Sequence, residues 1–457
     1  MVVKDRNGAA YNHFDLSNPP ANPVPMPPAP ALPPSRCDVL VVGAGPAGSA
    51  CAQWLARQGL QVVLVDQHAF PRDKVCGDGL IPDAHHALQR LGVHAEVMAQ
   101  ARSVPHVACI APRGGRVDVP GRLAVLARKQ LDDILKRAAE RAGAQFFAPW
   151  RFEAPLLDET PGAASGSTAP VLGARLKSPT LGLAEVRARW VVLATGAVPK
   201  ALMAAGLCAR HTPTGVALRA YVRHPGMAAR NPSLEVVWHK RLSKGYGWIF
   251  PGPDSTFNIG VGLAHSHAMP AKGRATMADV NLHDMLKAFT QVHAPAAELM
   301  AGGTLLGPVK GAPLRCSLDG ARFSRPGLLV TGEAAGSTYA FTGEGIGKAM
   351  ETGLLAAEAL IAHAADAASG AQHSAAADLA TRQRYEASLL ALKPRFDLYQ
   401  RANRVNEHPW LADLLIWRAR RSERILRGMA RVLEETANPG NLVSVRGLTR
   451  LLLPGGH

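Results

Sequence analysis

The apolar run Val39-Leu-Val-Val leads straight into Gly43-Ala44-Gly45-Pro46-Ala47-Gly48, a Gly-x-Gly-x-x-Gly spacing that can hold a phosphate with backbone alone. Gly43 permits the tight turn at the strand end, Gly45 lets the main chain approach a pyrophosphate, and Gly48 lets the next helix pack closely on the sheet. The helix-like stretch behind the loop, Ser49 to Gln58, begins with free N–H groups and partial positive charge that suit an anion. A second apolar run, Val62 to Val65, ends in Asp66 and Gln67. A carboxylate at that distance can accept hydrogen bonds from an adenosine ribose. Turn, helix start and acid together define a site for an ADP-containing dinucleotide.

These groups need a scaffold, and the pattern of the chain supplies one. Helical periodicity covers Asp83 to Leu91 and the amphipathic run Arg128-Lys-Gln-Leu-Asp-Asp-Ile-Leu. Trp190-Val-Val-Leu-Ala-Thr-Gly196 reads as a buried strand ending in a turn. Alternation in Leu234-Glu-Val-Val-Trp-His and Thr256-Phe-Asn-Ile-Gly-Val-Gly predicts an antiparallel sheet. Strand and helix signals resume at Gly327, and from Ala376 the pattern is mostly helical. The predicted class is α/β: a discontinuous Rossmann-like domain (37–100, 121–210 and 312–370), an inserted antiparallel β-sheet domain (101–120 and 211–311), and a C-terminal helical extension (371–457). Residues 1–36 are so rich in proline that an extended, disordered lead-in is expected.

Bulk composition narrows the class further. The 457 residues are 47% apolar and 19% charged, as in soluble globular proteins. No apolar run approaches the ~20 residues of a membrane-spanning helix, and residues 1–14 lack the apolar core of a secretory signal. Six scattered cysteines form no Cys-x-x-Cys pair, and His85-His86 have no partner at metal spacing, so no metal site is expected. A cytoplasmic location with reduced thiols follows. The net charge of +16 favours anionic surfaces, but no nucleic-acid module or basic-aromatic interleaving is present.

Three further segments complete an ordered set of motifs with the glycine loop: Lys74-Val-Cys76-Gly77-Asp-Gly79, Gly245-Tyr246-Gly-Trp248-Ile-Phe-Pro251, and Gly332-Glu333 through Gly343-Glu-Gly345-Ile346-Gly347. From about Asp38 to about Ala365 the chain resembles the flavoprotein superfamily of aromatic hydroxylases, flavin halogenases and geranylgeranyl reductases, and most of all the geranylgeranyl reductase branch. The resemblance implies FAD as cofactor. It places Arg128 near the pyrophosphate, where a planar fork of donors suits phosphate oxygens. It places Glu333, where the family usually has aspartate, on the ribityl chain. It aims the helix start at Gly343-x-Gly345-Ile346 toward the flavin's pyrimidine edge, where reduced flavin carries negative charge. Cys76 and Gly77 fall beside the flavin, and Tyr246 and Trp248 line the substrate pocket. One departure concerns the electron donor. Ala194-Thr195-Gly196 stands where hydroxylases carry Asp-Gly, which puts NAD(P)H as direct reductant in doubt and leaves room for a separate donor.

Three reactions fit these residues. Reduced FAD can give a hydride to a carbon–carbon double bond of an isoprenoid or other apolar substrate. It can react with dioxygen to hydroxylate or halogenate. The protein can also be a non-catalytic electron carrier. Cys76 is either a proton donor or flavin-tuning thiol, its pKa lowered by Lys74 and helix N-termini, or a small apolar residue in a turn. Between residues 401 and 457, arginines at 401, 404, 418, 420, 421, 424, 427, 431, 446 and 450 alternate with Trp410, Trp417 and several leucines. Such basic amphipathic helices suit peripheral contact with a membrane; the alternative is a helix pair that caps the β domain.

Overall fold

The computed structural model of the chain describes residues 31–158, 169–208, 213–242, 244–264, 280–368 and 375–436. Most of the proline-rich lead-in, and the arginines and leucines of 446–453, lie outside the described residues.

The first sheet is built on the strand Arg36–Val42, parallel to Val62–Val65 on one side and to Gly182–Leu193 on the other. Gln145–Phe147 and Leu328–Val330 extend it, both parallel, and Ser324–Arg325 turns back at one edge. Successive side chains of a strand face opposite ways. Val39, Val41, Val62 and Leu64 therefore pack among the helices that carry Leu55, Ala139 and Leu360. Leu40, Val42, Val63 and Val65 pack with Trp150 and with Phe152 and Leu176 of the antiparallel strands Arg151–Leu157 and Val171–Ser178. Burial on both faces is why these strands read as unbroken apolar runs.

The second sheet joins Gly215–Arg223, Thr256–Ala264, Gly245–Pro251 and Leu234–Val237 in antiparallel succession. Leu234–Val237 then runs parallel to Arg102–Ile110, which pairs antiparallel with Arg116–Val125. That one parallel pair departs from the expected pattern. Its strands come from distant parts of the chain, so no tight hairpin dictates their direction. Two expected edges also move: pairing of Arg102 with Val125, and of Lys310–Leu314 with Gly215–Arg223, carries the sheet beyond 120 and 311. Backbone donors and acceptors in these strands need partners, and the ladder supplies them.

Two helices hold the nucleotide loop in place. Pro46–Ala56 starts three residues before the expected Ser49, with proline in its first turn, where a missing N–H costs nothing. Ile346–Ala368 crosses it so closely that a Cβ on Gly353 would lie 2.2 Å from the Ala47 carbonyl oxygen. Gly43, at φ +103°, is equally committed, because a Cβ there would meet the Ala194 carbonyl at 2.3 Å. The C-terminal helices Trp410–Ala419 and Glu423–Leu433 pack over the 102–125 strand pair, where Leu411 and Ile416 share a core with Cys109, Val117 and Val119. Gly353→Ala should cost on the order of 2 kcal/mol by overpacking this crossing, read as a lower urea midpoint; an unchanged midpoint would show that the crossing is slack.

Candidate active site

One continuous cavity of about 660 Å³ runs between the two sheets and the C-terminal helices, within the size range of cofactor sites. Gly45, Pro46, Ala47, Asp66, Gln67 and Arg128 line it, as do Cys76, Gly77, Gly196, Glu333, Gly343, Gly345 and Ile346. Trp248 and Tyr246 line it beside Gly77 and Gly343. The remaining residues named from the sequence stand behind the wall. Ala44 is fully buried and donates its N–H to Asp66 Oδ2 at 2.9 Å. Gly48 underlies the turn, where a Cβ would strike the Gly43 carbonyl at 1.8 Å. Gly332 donates its N–H to Thr352 Oγ1 at 3.0 Å.

The phosphate end is more cationic than the glycine pattern alone predicts. Arg128 is buried, and its Nε and NH2 donate to the two oxygens of Asp132 at 2.7 and 2.8 Å. Burial alone would lower the Arg128 pKa, but the Asp132 carboxylate outweighs it and holds the guanidinium charged. Arg72 joins this pair, with NH1 on Asp132 at 2.8 Å and NH2 3.5 Å from Asp66. Both guanidinium groups hang over Gly45, 3.6 and 3.8 Å from where a Cβ would be. The first-turn N–H groups of Ala47 and Gly48 have no intrahelical partner. Thr195 Oγ1 is buried at the same end without a hydrogen-bond partner. Glycine floor, free donors, two cations and an orphaned hydroxyl fit a pyrophosphate-containing cofactor.

Next along the cavity comes the Cys76–Gly79 turn, tied to the inserted sheet. Asp78, at φ 65° and 1% exposed, receives Tyr221 OH at 2.5 Å and Asn258 Nδ2 at 2.7 Å. Asn258 Nδ2 also donates to the Cys76 carbonyl at 2.7 Å, and its Oδ1 accepts from Trp248 Nε1 at 2.9 Å. Burial pushes the Asp78 carboxyl up to about 6, against the pull of these two hydrogen bonds. Cys76 itself is half-buried, and burial pushes its thiol pKa up. The expected lowering is thereby corrected: Arg128 offers the strongest electrostatic opposition, Lys74 contributes less, and both are outweighed by loss of water. The thiol stays protonated.

The far half of the cavity is apolar and aromatic. Tyr246 donates its hydroxyl to the Thr342 carbonyl, so it braces the Gly343 turn. Its ring centroid lies 6.1 Å from that of Trp248 and 6.4 Å from that of Trp238. Trp238 stacks on Phe341 and donates Nε1–H to Asn406 Oδ1 at 2.7 Å. Beyond them Ile416, Met429, Val432 and Leu433 of the C-terminal region close the end. Sequence reasoning missed Arg72, Asp78, Asn258, Trp238 and Phe341. Arg72 and Asp78 had a signal, since both stand in the same glycine-rich segment as Cys76. The C-terminal helices cap the sheet with one face, while Trp410 and Trp417 remain 61% and 46% exposed.

A two-arginine glycine cradle joined to an apolar chamber, on this pair of sheets, defines an FAD-dependent oxidoreductase. A family model described as an FAD binding domain matches residues 36–254. The menaquinone reductase of Mycolicibacterium smegmatis is 32% identical over 345 residues, covering 71% of this chain and 76% of that one. Digeranylgeranylglycerophospholipid reductase 1 of Methanopyrus kandleri is 28% identical, over 71% of this chain and 80% of that one. A solved geranylgeranyl bacteriochlorophyll reductase-like protein from Thermoplasma acidophilum shares the fold, with TM-score 0.63 and 20% identity over 92% of this chain and 96% of that one. The chain belongs to the geranylgeranyl reductase family of FAD-dependent oxidoreductases.

Asp78 generates a stability test. Its folded pKa, about 6, lies above the ordinary 3.8, so the folded state binds this proton more tightly. The stabilisation is complete below about pH 4 and is lost as pH rises through about 6. Asp78→Asn abolishes the titration. Relative to the variant, wild type should lose up to roughly 3 kcal/mol between pH 4 and 7, measured by urea unfolding of the FAD-free protein; parallel pH profiles would contradict it.

Proposed function

We propose that the cavity binds FAD lengthwise and that the protein reduces carbon–carbon double bonds of an isoprenoid or similarly apolar substrate. The continuity of the cavity carries this reading: one unbroken space joins the cationic glycine cradle to a chamber walled by Trp238, Trp248, Phe341, Ile416 and Leu433. Two relatives are named for reduction of a menaquinone and of a digeranylgeranyl lipid, and such chains match this chamber in polarity. Reduced FAD, when bound, supplies a hydride.

The residues of this chain do the rest. Gly45 and Ala47, with Arg72 and Arg128, hold the pyrophosphate, and Asp66, with Gln67 beside it, receives the adenosine ribose. Glu333 faces the ribityl side, Gly196 lines the cavity next to Thr195, and Cys76, Gly77, Gly343, Gly345 and Ile346 border the ring. The aromatic wall excludes water and holds the substrate against that ring. Thr195 offers a hydroxyl where a carboxylate would organise NADPH, which favours a separate electron donor over direct reduction by NAD(P)H. Among the described residues no helix is long and apolar enough to cross a membrane. Exposed Trp410 and Trp417, with Arg420, Arg421, Arg424 and Arg427 around them, suit a lipid interface next to the chamber's apolar end. The protein is then cytoplasmic with peripheral membrane contact.

Two outcomes test this reading. Anaerobic reduced enzyme given a geranylgeranylated lipid should yield a product heavier by two hydrogens per saturated bond; a product formed only in air and carrying oxygen would transfer the protein to the oxygenases. Arg72→Ala leaves Asp132 paired with Arg128, so folding is spared. The loss of a charged contact should raise the FAD dissociation constant roughly 10- to 100-fold by fluorescence titration. An unchanged constant would remove Arg72 from the phosphate site.

A further inference from the structure

Behind the second glycine turn lies a buried group of carboxyls that the cofactor site does not use. Asp83 comes from the helix Pro82–Leu91, Glu344 from between Gly343 and Gly345, and Glu435 from just after the helix Glu423–Leu433. One oxygen from each lies within 4.8 Å of the others. The Asp83 side chain is 7% exposed. Both its oxygens, and Glu344 Oε1, are buried without a hydrogen-bond donor.

Every charged neighbour bears on this group. Lys348 Nζ, 3% exposed, lies 2.8 Å from Glu435, 2.6 Å from Glu351 and 3.8 Å from Asp83. Arg395 NH1 lies 2.6 Å from Glu435, which also accepts from Tyr339 OH at 2.8 Å. The hydroxyls of Tyr399 and Tyr246 are nearby and neutral. Four carboxyls thus share two cations, and both cations are turned toward Glu435 and Glu351. Asp83 and Glu344 face each other with acceptors only. Such an arrangement is strongly unfavourable in a buried site unless a proton lies between them, because two adjacent carboxylates ionise together there only at high cost. Burial, and then mutual repulsion, hold the Glu344 carboxyl well above its ordinary range; burial also raises Asp83.

Position gives this proton a use. Glu344 lines the cavity between the two glycines of the flavin-facing turn, with Asp83 behind it. Lys348 and Glu435 come next, and Glu351 and Arg395, 34% and 42% exposed, reach solvent. We propose that Asp83 and Glu344 hold one shared proton on the cavity wall, and that Glu344 delivers it to the substrate double bond. The proposal rests on the alkene-reductase reading of the same cavity. In the step, hydride from reduced flavin forms a C–H bond at one alkene carbon. The π electron pair takes the proton from Glu344 to form a C–H bond at the other. Substrate gains two hydrogens, flavin is oxidised, and Glu344 is left as carboxylate. Asp83 and Glu344 are then both carboxylates, a costly state that recaptures a proton from solvent past Glu351 and Glu435. Cys76 is less suited to the role, since its thiolate would form beside the buried Asp78.

The test uses FAD-loaded, photoreduced protein under anaerobic conditions with geranylgeraniol, an alkene without a quinone that could take electrons directly. Infrared difference spectra of the wild type should show a protonated-carboxyl carbonyl band that shifts in D₂O and disappears in both Glu344→Gln and Asp83→Asn. A band that survives both substitutions, or is missing from the wild type, overturns the shared proton. In stopped flow, flavin reoxidation by the alkene should slow as pH rises through the raised pKa of the pair. Glu344→Gln, still loaded with FAD, should be slowed about 100-fold or more and should lose that pH dependence. Wild-type rate and pH profile in Glu344→Gln would overturn the donor assignment alone. A wild type that keeps the infrared band yet never reduces the alkene would instead refute the alkene reading, and delivery with it.

Discussion

The close crossing of the helices Pro46–Ala56 and Ile346–Ala368 sets everything else in this molecule. Gly353 against the Ala47 carbonyl, and Gly332 against the Ala47 methyl, leave no space for a Cβ. Because the two helices touch backbone to backbone, their starts open onto the same cavity, although the loops are about three hundred residues apart in the chain. A side chain inserted at the crossing would push the helix starts apart and separate the two ends of the cofactor site. Small residues are used here for distance, since dispersion and shape at close range hold the pair together.

From that crossing the cavity acquires a gradient of polarity. At one end Arg72 and Arg128 share Asp132, which fixes both guanidinium groups while leaving donors free for phosphate. In the middle, Asp78, Tyr221, Asn258 and Trp248 link the Cys76 turn to the inserted sheet through fully engaged hydrogen bonds. At the other end polar groups give way to aromatic and aliphatic walls. Charge is concentrated where phosphate needs it and removed where an apolar chain must lie. The Asp83–Glu344 pair is the exception, a polar group kept at the apolar border, with Lys348 behind it.

Much of this arrangement was legible in the chain itself, for a definite reason. The glycine loop, Asp66 and the 128–132 helix start depend on short-range spacing, and backbone geometry restricts those positions to few residue types. The alternation of the inserted sheet was equally local, although the parallel Leu234–Val237 pair was not, because strand direction between distant segments leaves no local mark. The polar network was invisible for the same reason: Asn258 and Asp78 meet across 180 residues. Cys76 shows the complementary failure. Its neighbours in sequence suggested a lowered pKa, but burial by distant elements raises it. Proximity of charge could be read from the chain, whereas the surrounding dielectric could not.

The direct test of the account is a crystal structure of the FAD complex. The pyrophosphate should lie on Gly45 to Ala47 beneath Arg72 and Arg128, with the isoalloxazine between Cys76-Gly77 and Gly343–Gly345. A flavin ring found elsewhere, or phosphates away from the first glycine loop, would contradict the claim that two crossing helices present one cofactor site.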